Sequence, residues 1–165
     1  MIIKFIKHKI ITRDELNNIV KVKSSAWPYS YQSQLNWMKT NLTDDDLHLL
    51  VKKDGLPIAY LNLISIEIDV DNKKSEGYGV GNVCTFKTGE GMGKKIMVLA
   101  NEFLKKENKV GLLFCKENLI NFYCKSGWEL INKNKLKLPF NNTEIETMIY
   151  NSSHFQEIKL NTNIF

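Results

Sequence analysis

Long apolar runs are missing from this sequence: none approaches the ~18 residues that a membrane span needs, so no anchor is expected. Cysteine is scarce and unpatterned. Cys84, Cys115 and Cys124 are odd in number and lack C-x-x-C spacing, which argues for reduced thiols in a cytoplasmic protein. His8, His48 and His154 show no mutual spacing of a metal site, so no metal is expected. The first eleven residues mix apolar side chains with Lys4, Lys7 and Lys9 and lack the apolar core and cleavage site of an export signal. Internal repeats and low-complexity linkers are also absent, and 165 residues suit a single domain, expected over 1–150, with 151–165 a last strand or a tail.

What is there is the composition of a globular chain. With 43% hydrophobic and 25% charged residues it can bury a full core. A net charge of +5 favours anionic partners, whether nucleic acid, an acidic membrane or a phosphorylated ligand. The lysines are spread evenly without an aromatic-basic stripe, which argues against nucleic acid.

Residues 2–6 read as a strand, and Thr12 with Glu15 forms a capping-box signal for a helix over 13–23 whose apolar stripe is Leu16, Ile19 and Val20. An aromatic turn over 26–31 leads to a weaker helix over 33–41. Strands follow at 47–51 and 57–70, joined by an Asp54-Gly55 turn, and at 78–86 after a turn over 69–74. Gly77, Gly79 and Gly81 weaken this third strand or mark a bulge. Met92, Ile96, Leu99, Ala100 and Phe103 share one helix face, and 110–115 is an apolar strand suited to parallel pairing with the strand before that helix. A short helix over 117–125 ends near Gly127, and 128–131 and 145–150 read as strands.

Between the third strand and its helix lies Gly89-Glu90-Gly91-Met92-Gly93-Lys94-Lys95. Such a loop exposes main-chain N–H groups at the positive end of a helix, a site for phosphate oxygens. A P-loop is excluded because Thr88 stands where its first glycine belongs and Lys95 where Ser or Thr belongs. A dinucleotide fingerprint is excluded because Lys94 follows Gly93 out of register and the preceding strands are antiparallel.

The strand Gly81-Asn82-Val83-Cys84-Thr85 followed by Gly89-x-Gly91-x-Gly93 resembles the acetyl-CoA-binding segment of the GCN5-related N-acetyltransferase superfamily. Leu112-Leu113-Phe114-Cys115, Phe122-Tyr123 and Gly127-Trp128 extend the resemblance, and look most like the branch of aminoglycoside 2'-N-acetyltransferases and nodulation acyltransferases. It covers most of the chain. Thr88 departs from the usual Gln or Arg, Lys116 from the usual Asn, and the loop after Thr85 is short. The resemblance implies a mixed α/β (α+β) fold with a splayed central sheet of about six to seven strands and about four helices.

It further implies acetyl-CoA as cofactor, held by Val83, Cys84, Thr85, Gly89, Gly91, Met92, Gly93, Lys94 and Lys95, with Tyr123 as the acid. The family's strand Glu falls near Gly79, so Glu76, Glu67, Asp69 and His48 are the candidate bases, Glu76 first among them. Trp27, Tyr29 and Tyr31, with Trp37, are the candidate acceptor wall, and are as readily core. The expected activity is direct acetyl transfer to a primary amine, of a small molecule more readily than a protein, by a monomer or homodimer. The competing readings are an acyl-CoA sensor or scaffold without turnover, which the absent Glu at Gly79 permits, and a basic nucleic-acid-interacting module. Cys84, Cys115 and Cys124 have no histidine spaced to activate them and read as small hydrophobes or a helix residue.

Overall fold

The structure, a computed structural model, describes residues 1–141, 144–152 and 154–162. In chain order its elements are β1 (Ile2–Lys7), α1 (Arg13–Ala26), α2 (Tyr31–Asn41), β2 (Leu47–Lys53), β3 (Leu56–Val70), β4 (Lys73–Thr85), α3 (Met92–Lys106), β5 (Val110–Cys115), α4 (Ile120–Cys124), β6 (Glu129–Leu130), β7 (Leu136–Lys137), β8 (Glu146–Tyr150) and β9 (Ile158–Leu160). Sheet order is β1-β2-β3-β4-β5-β8-β6, with β9 paired to β3 and β7 to β9. Pairs β4–β5 and β7–β9 are parallel; β1–β2, β2–β3, β3–β9, β5–β8 and β6–β8 are antiparallel.

Local chemistry accounts for most boundaries. The Glu15 amide donates to Thr12 Oγ1 at 3.3 Å and the Thr12 amide to Glu15 Oε2 at 3.1 Å, so the capping box opens α1. That helix runs three residues past the expected end, to Ala26, and Pro28 then forbids continuation. Ser30 caps α2 through the Ser33 amide. Asp54 and Gly55 both take positive φ, 51° and 79°, which turns β2 into β3; Asp71 and Asn72, at 49° and 64°, do the same between β3 and β4. β4 starts at Lys73, five residues earlier than expected, because Lys73, Lys74 and Glu76 are exposed and hide the apolar alternation. The strand count exceeds the expected six to seven because β6, β7 and β9 hold only two or three residues, too few to show a period. The 151–165 segment contributes β9, while residues 153 and 163–165 lie outside the described residues.

Two compact units make up the chain, residues 1–64 with 81–97, and 65–80 with 98–165. β3, β4 and α3 each pass from one into the other. In the first, Ile19, Val20 and Val22 of α1 and Met38 of α2 are buried, as are Leu49, Leu50 and Val51 of β2 and Ala59, Leu61 and Leu63 of β3. In the second, Ile66, Ile68, Leu112, Ile131, Ile149, Ile158 and Leu160 form one buried cluster. Trp128, 1% exposed, is tied there: its Nε1 donates to Asn101 Oδ1 at 2.9 Å, and Asn101 Nδ2 donates to the Ser126 carbonyl at 2.7 Å.

The parallel ladder in this second unit is short and tight. It comprises Gly77↔Val110, Tyr78↔Gly111 and Gly79↔Leu112. A Cβ on Gly77 would sit 2.6 Å from the Val110 carbonyl oxygen, and one on Gly111 would sit 2.6 Å from Leu104 Cδ1 and 2.8 Å from Trp128 Cη2. Gly77 therefore serves close backbone approach rather than a bulge. Gly111→Ala is expected to cost about 1–3 kcal/mol through overpacking, read as a lower urea midpoint at unchanged slope; an unchanged midpoint would show that the Trp128 side chain yields freely.

Candidate functional site

In the first unit β4 ends at Thr85, whose Oγ1 donates to the Lys87 carbonyl at 2.9 Å and so starts the glycine loop. Gly89 and Gly91 take φ of 83° and 73°, and nothing lies within 4 Å of a Cβ built on either. Conformation, not space, requires glycine at both. Among the described residues the amides of 87–93 donate no backbone hydrogen bond outside α3, and the first turn of α3 holds no acid. Lys94 and Lys95 are exposed beside them. The loop thus offers unengaged N–H donors, the positive end of a 15-residue helix and two ammonium groups, which fits it to an anionic phosphate.

The preceding stretch carries a second irregularity. Asn82, inside β4, takes φ of 52°, so the kink expected at a glycine falls on an asparagine, a residue that tolerates this region. Its Nδ2 donates to Asn62 Oδ1 at 3.3 Å, while Asn62 Nδ2 is buried without a partner. Val83 and Thr85 are half-buried and Cys84 is buried. Burial pushes the Cys84 thiol up to about 12, despite the lysine ammonium near it, so it stays protonated at neutral pH.

A line of titratable groups runs through the same unit. His8 Nδ1 lies 3.0 Å from His48 Nε2, and His48 Nδ1 lies 2.8 Å from Tyr60 Oη. His8 is half-buried, whereas His48 and Tyr60 are fully buried. Burial, then the neighbouring His8 and Lys23, lowers His48 to about 3, so its ring is neutral. Burial likewise holds the Tyr60 phenol well above its ordinary value. Protons can be arranged along the line in either direction, Tyr60 donating toward His8 or His8 toward Tyr60, which is the property a relay requires.

The remaining candidates are placed as follows. Trp27 is half-buried and its carbonyl accepts from Gln34 Nε2 at 2.9 Å; Tyr29 is exposed, and Tyr31, also exposed, donates to Asn17 Oδ1 at 2.6 Å. Trp37 instead faces the buried Lys23, whose Nζ is 4.3 Å from its ring centroid. In the second unit Tyr123 is 7% exposed and burial raises its phenol to about 12, with Cys115 adding to the shift, so it holds its proton. Glu76 is exposed, and the Lys109 ammonium 2.6 Å away lowers its carboxyl, which weakens it as a base. Glu67, Asp69 and Glu76 line one cavity of about 740 Å³ with Lys74, Lys109 and Lys159. Among the described residues no three His, Cys, Asp or Glu side chains cluster as metal ligands, and no helix is long and apolar enough to cross a membrane.

No family model matches the chain, and no curated protein matches it. Solved structures do. An acyl-CoA N-acyltransferase from Pseudomonas aeruginosa superposes with TM-score 0.66 at 16% identity, over 90% of this chain and 99% of that one. The fold is that of the GCN5-related N-acetyltransferases. The aminoglycoside 6'-N-acetyltransferase of Enterococcus faecium gives TM-score 0.64 at 10% identity, over 91% and 96% of the two chains. The PaiA N-acetyltransferase of Thermoplasma acidophilum, in complex with coenzyme A, gives 0.58 at 17%, over 90% and 98%. In this fold the glycine loop stands where the resemblance placed it, between β4 and α3.

Spacing alone did not single out Lys23, Tyr60 or Asn82. A signal for Lys23 was present, since it follows Ile19 and Val20 by four and three positions and shares their helix face. The neutral His48 sets a pH dependence with a definite sign. Its folded value, about 3, lies below the ordinary 6.5, so between these the unfolded chain binds the extra proton and stability falls as pH falls. Denaturant melts should show a loss of up to about 1.4 kcal/mol per pH unit across this window, with the slope smaller in His48→Phe; an equal slope in both proteins would assign the loss to other groups.

Proposed function

We propose that the protein is an acetyl-CoA-dependent N-acetyltransferase acting on a primary amine of a small molecule. The observation that carries this is the pair of left-handed glycines, Gly89 and Gly91, heading α3 directly after Val83, Cys84 and Thr85 in this fold. The amides of Gly89, Gly91, Met92, Gly93 and Lys94 suit the pyrophosphate, and Lys95 or Lys87 the ribose phosphate. The β4 main chain at Val83, Cys84 and Thr85 suits the amides of the pantetheine arm, which can pair with it as a strand would. When bound, acetyl-CoA supplies an activated thioester carbonyl and a thiol leaving group.

The chain's own residues do the rest. Cys84 remains a thiol, which favours direct transfer over a cysteinyl intermediate. Tyr123 keeps its proton at neutral pH and is the acid for the departing thiolate. With Glu76 held by Lys109, the proton of the acceptor amine passes to the half-buried His8, whose ring the buried His48 and Tyr60 orient; His48 acts through His8 without touching the acceptor. The aminoglycoside enzyme among the structural neighbours supports a small amine, although the 2'-N-acetyltransferase branch has no support of its own among them.

Calorimetry with coenzyme A and thiol release from acetyl-CoA over an amine panel test this. Gly91→Val should weaken coenzyme binding about tenfold or more, because a β-branched residue resists φ of 73°. Tyr123→Phe should lower kcat by about 100-fold or more and leave coenzyme affinity unchanged. Absence of heat with coenzyme A would refute the reading; heat without turnover on any amine would turn it into a sensor.

A further inference from the structure

Lys23 is a charge without a counterion. It is 2% exposed on the inward face of α1, and among the described residues it makes no ion pair and donates no side-chain hydrogen bond. The Trp37 ring, 4.3 Å from its ammonium, and the C-terminal end of α1 ease its burial, but neither is an anion. The titratable groups that face it are Cys84 from β4 and His48 from β2. Cys84, near 12, and His48, near 3, are both neutral at pH 7, whereas Lys23, lowered by burial to about 8, is still mostly protonated there. A single positive charge thus stands among neutral groups.

Buried charges in folded proteins are normally matched by an opposite charge. Here no described residue supplies one, so a ligand carboxylate is the group that would complete the arrangement. Location narrows the ligand further. Cys84 belongs to the stretch assigned above to the thioester arm, and Trp37 to the helical region assigned to the acceptor. The phosphates of the coenzyme already have exposed lysines and free amides at the glycine loop, and so do not need Lys23.

We infer that the acceptor amine also carries a carboxylate, as an amino acid does, and that Lys23 binds that carboxylate. This rests on the N-acetyltransferase reading and deepens it. The carboxylate forms a charge-assisted hydrogen bond with Nζ while the amine is left to accept the acetyl group. Lys23 is then a specificity residue: it acts on KM for the acid and not on the chemistry of the thioester.

The test pairs each amino acid with the amine that lacks only its carboxylate: phenylalanine with phenethylamine, histidine with histamine, lysine with cadaverine. Thiol release should show KM at least about tenfold lower for the carboxylate member of the accepted pair. Lys23→Met, which keeps length and removes charge, should abolish that preference by raising KM for the acid about tenfold or more, a difference of about 1.4 kcal/mol. KM for the matched amine and coenzyme affinity should stay within about twofold. Melting of Lys23→Met should match or exceed that of the wild type, because an unmatched buried charge is removed; the apparent preference is compared only in protein that melts so. If the wild type acetylates amines and not their acids, or if Lys23→Met changes both alike, the inference is wrong while the acetyltransferase reading stands. If no coenzyme heat and no thiol release occur with any acceptor, both fall.

Discussion

At Gly77 the backbone of β4 runs so close to the Val110 carbonyl that any side chain would collide with it, and this approach sets the parallel ladder on which the second unit is built. The ladder lasts three pairs. β4 then continues for six residues beyond its last β5 partner at Gly79, acquires a left-handed residue at Asn82 and ends in the glycine loop. β4 and the loop that follows it therefore carry three local backbone constraints. Each has its own physical cause: hard-sphere contact at 77, an unusual backbone angle at 82, and two positive φ values at 89 and 91.

The interior of the first unit is costly in another way. His48, Tyr60, Asn62 and Lys23 are all nearly or fully buried, in a layer made mostly of apolar side chains. Polar groups sealed without partners typically cost about 1–3 kcal/mol each; Asn62 Nδ2 is such a group. The hydrogen bonds from His8 through His48 to Tyr60 offset part of the cost, and Trp37 eases that of Lys23. Apolar residues of similar volume would pack these positions more cheaply.

The candidates read from the sequence fare unevenly because their evidence is of different range. The Thr12–Glu15 box and the Asp54-Gly55 turn depend on residues within a few positions of one another, and each forms as read. Glu76 looked available because nothing near it in sequence is basic enough to hold it except lysines of its own turn; its partner, Lys109, is 33 residues away. Tyr29 and Tyr31 read equally as wall or core because aromatics cluster there; both are exposed, so neither is core, and Tyr31 donates to Asn17. Of that group it is Trp37 that meets a buried charge.

What the sequence determined alone was whatever is encoded by neighbours along the chain: where helices begin, where the chain reverses, and that a glycine-rich turn stands at the head of α3. Which face each side chain shows, and what it meets there, was decided by tertiary structure. Lys23 is one of many lysines in the sequence and becomes singular only when α1 lies against β2 and β4 and leaves it no anion among the described residues. His48 and His8 are 40 residues apart and come within hydrogen-bond distance only when β1 pairs with β2 in a register that sets Ile6 opposite His48. The reason is the same in both cases: desolvation and hydrogen bonding act through space, over a few ångströms, and the chain brings distant residues within that range only by folding.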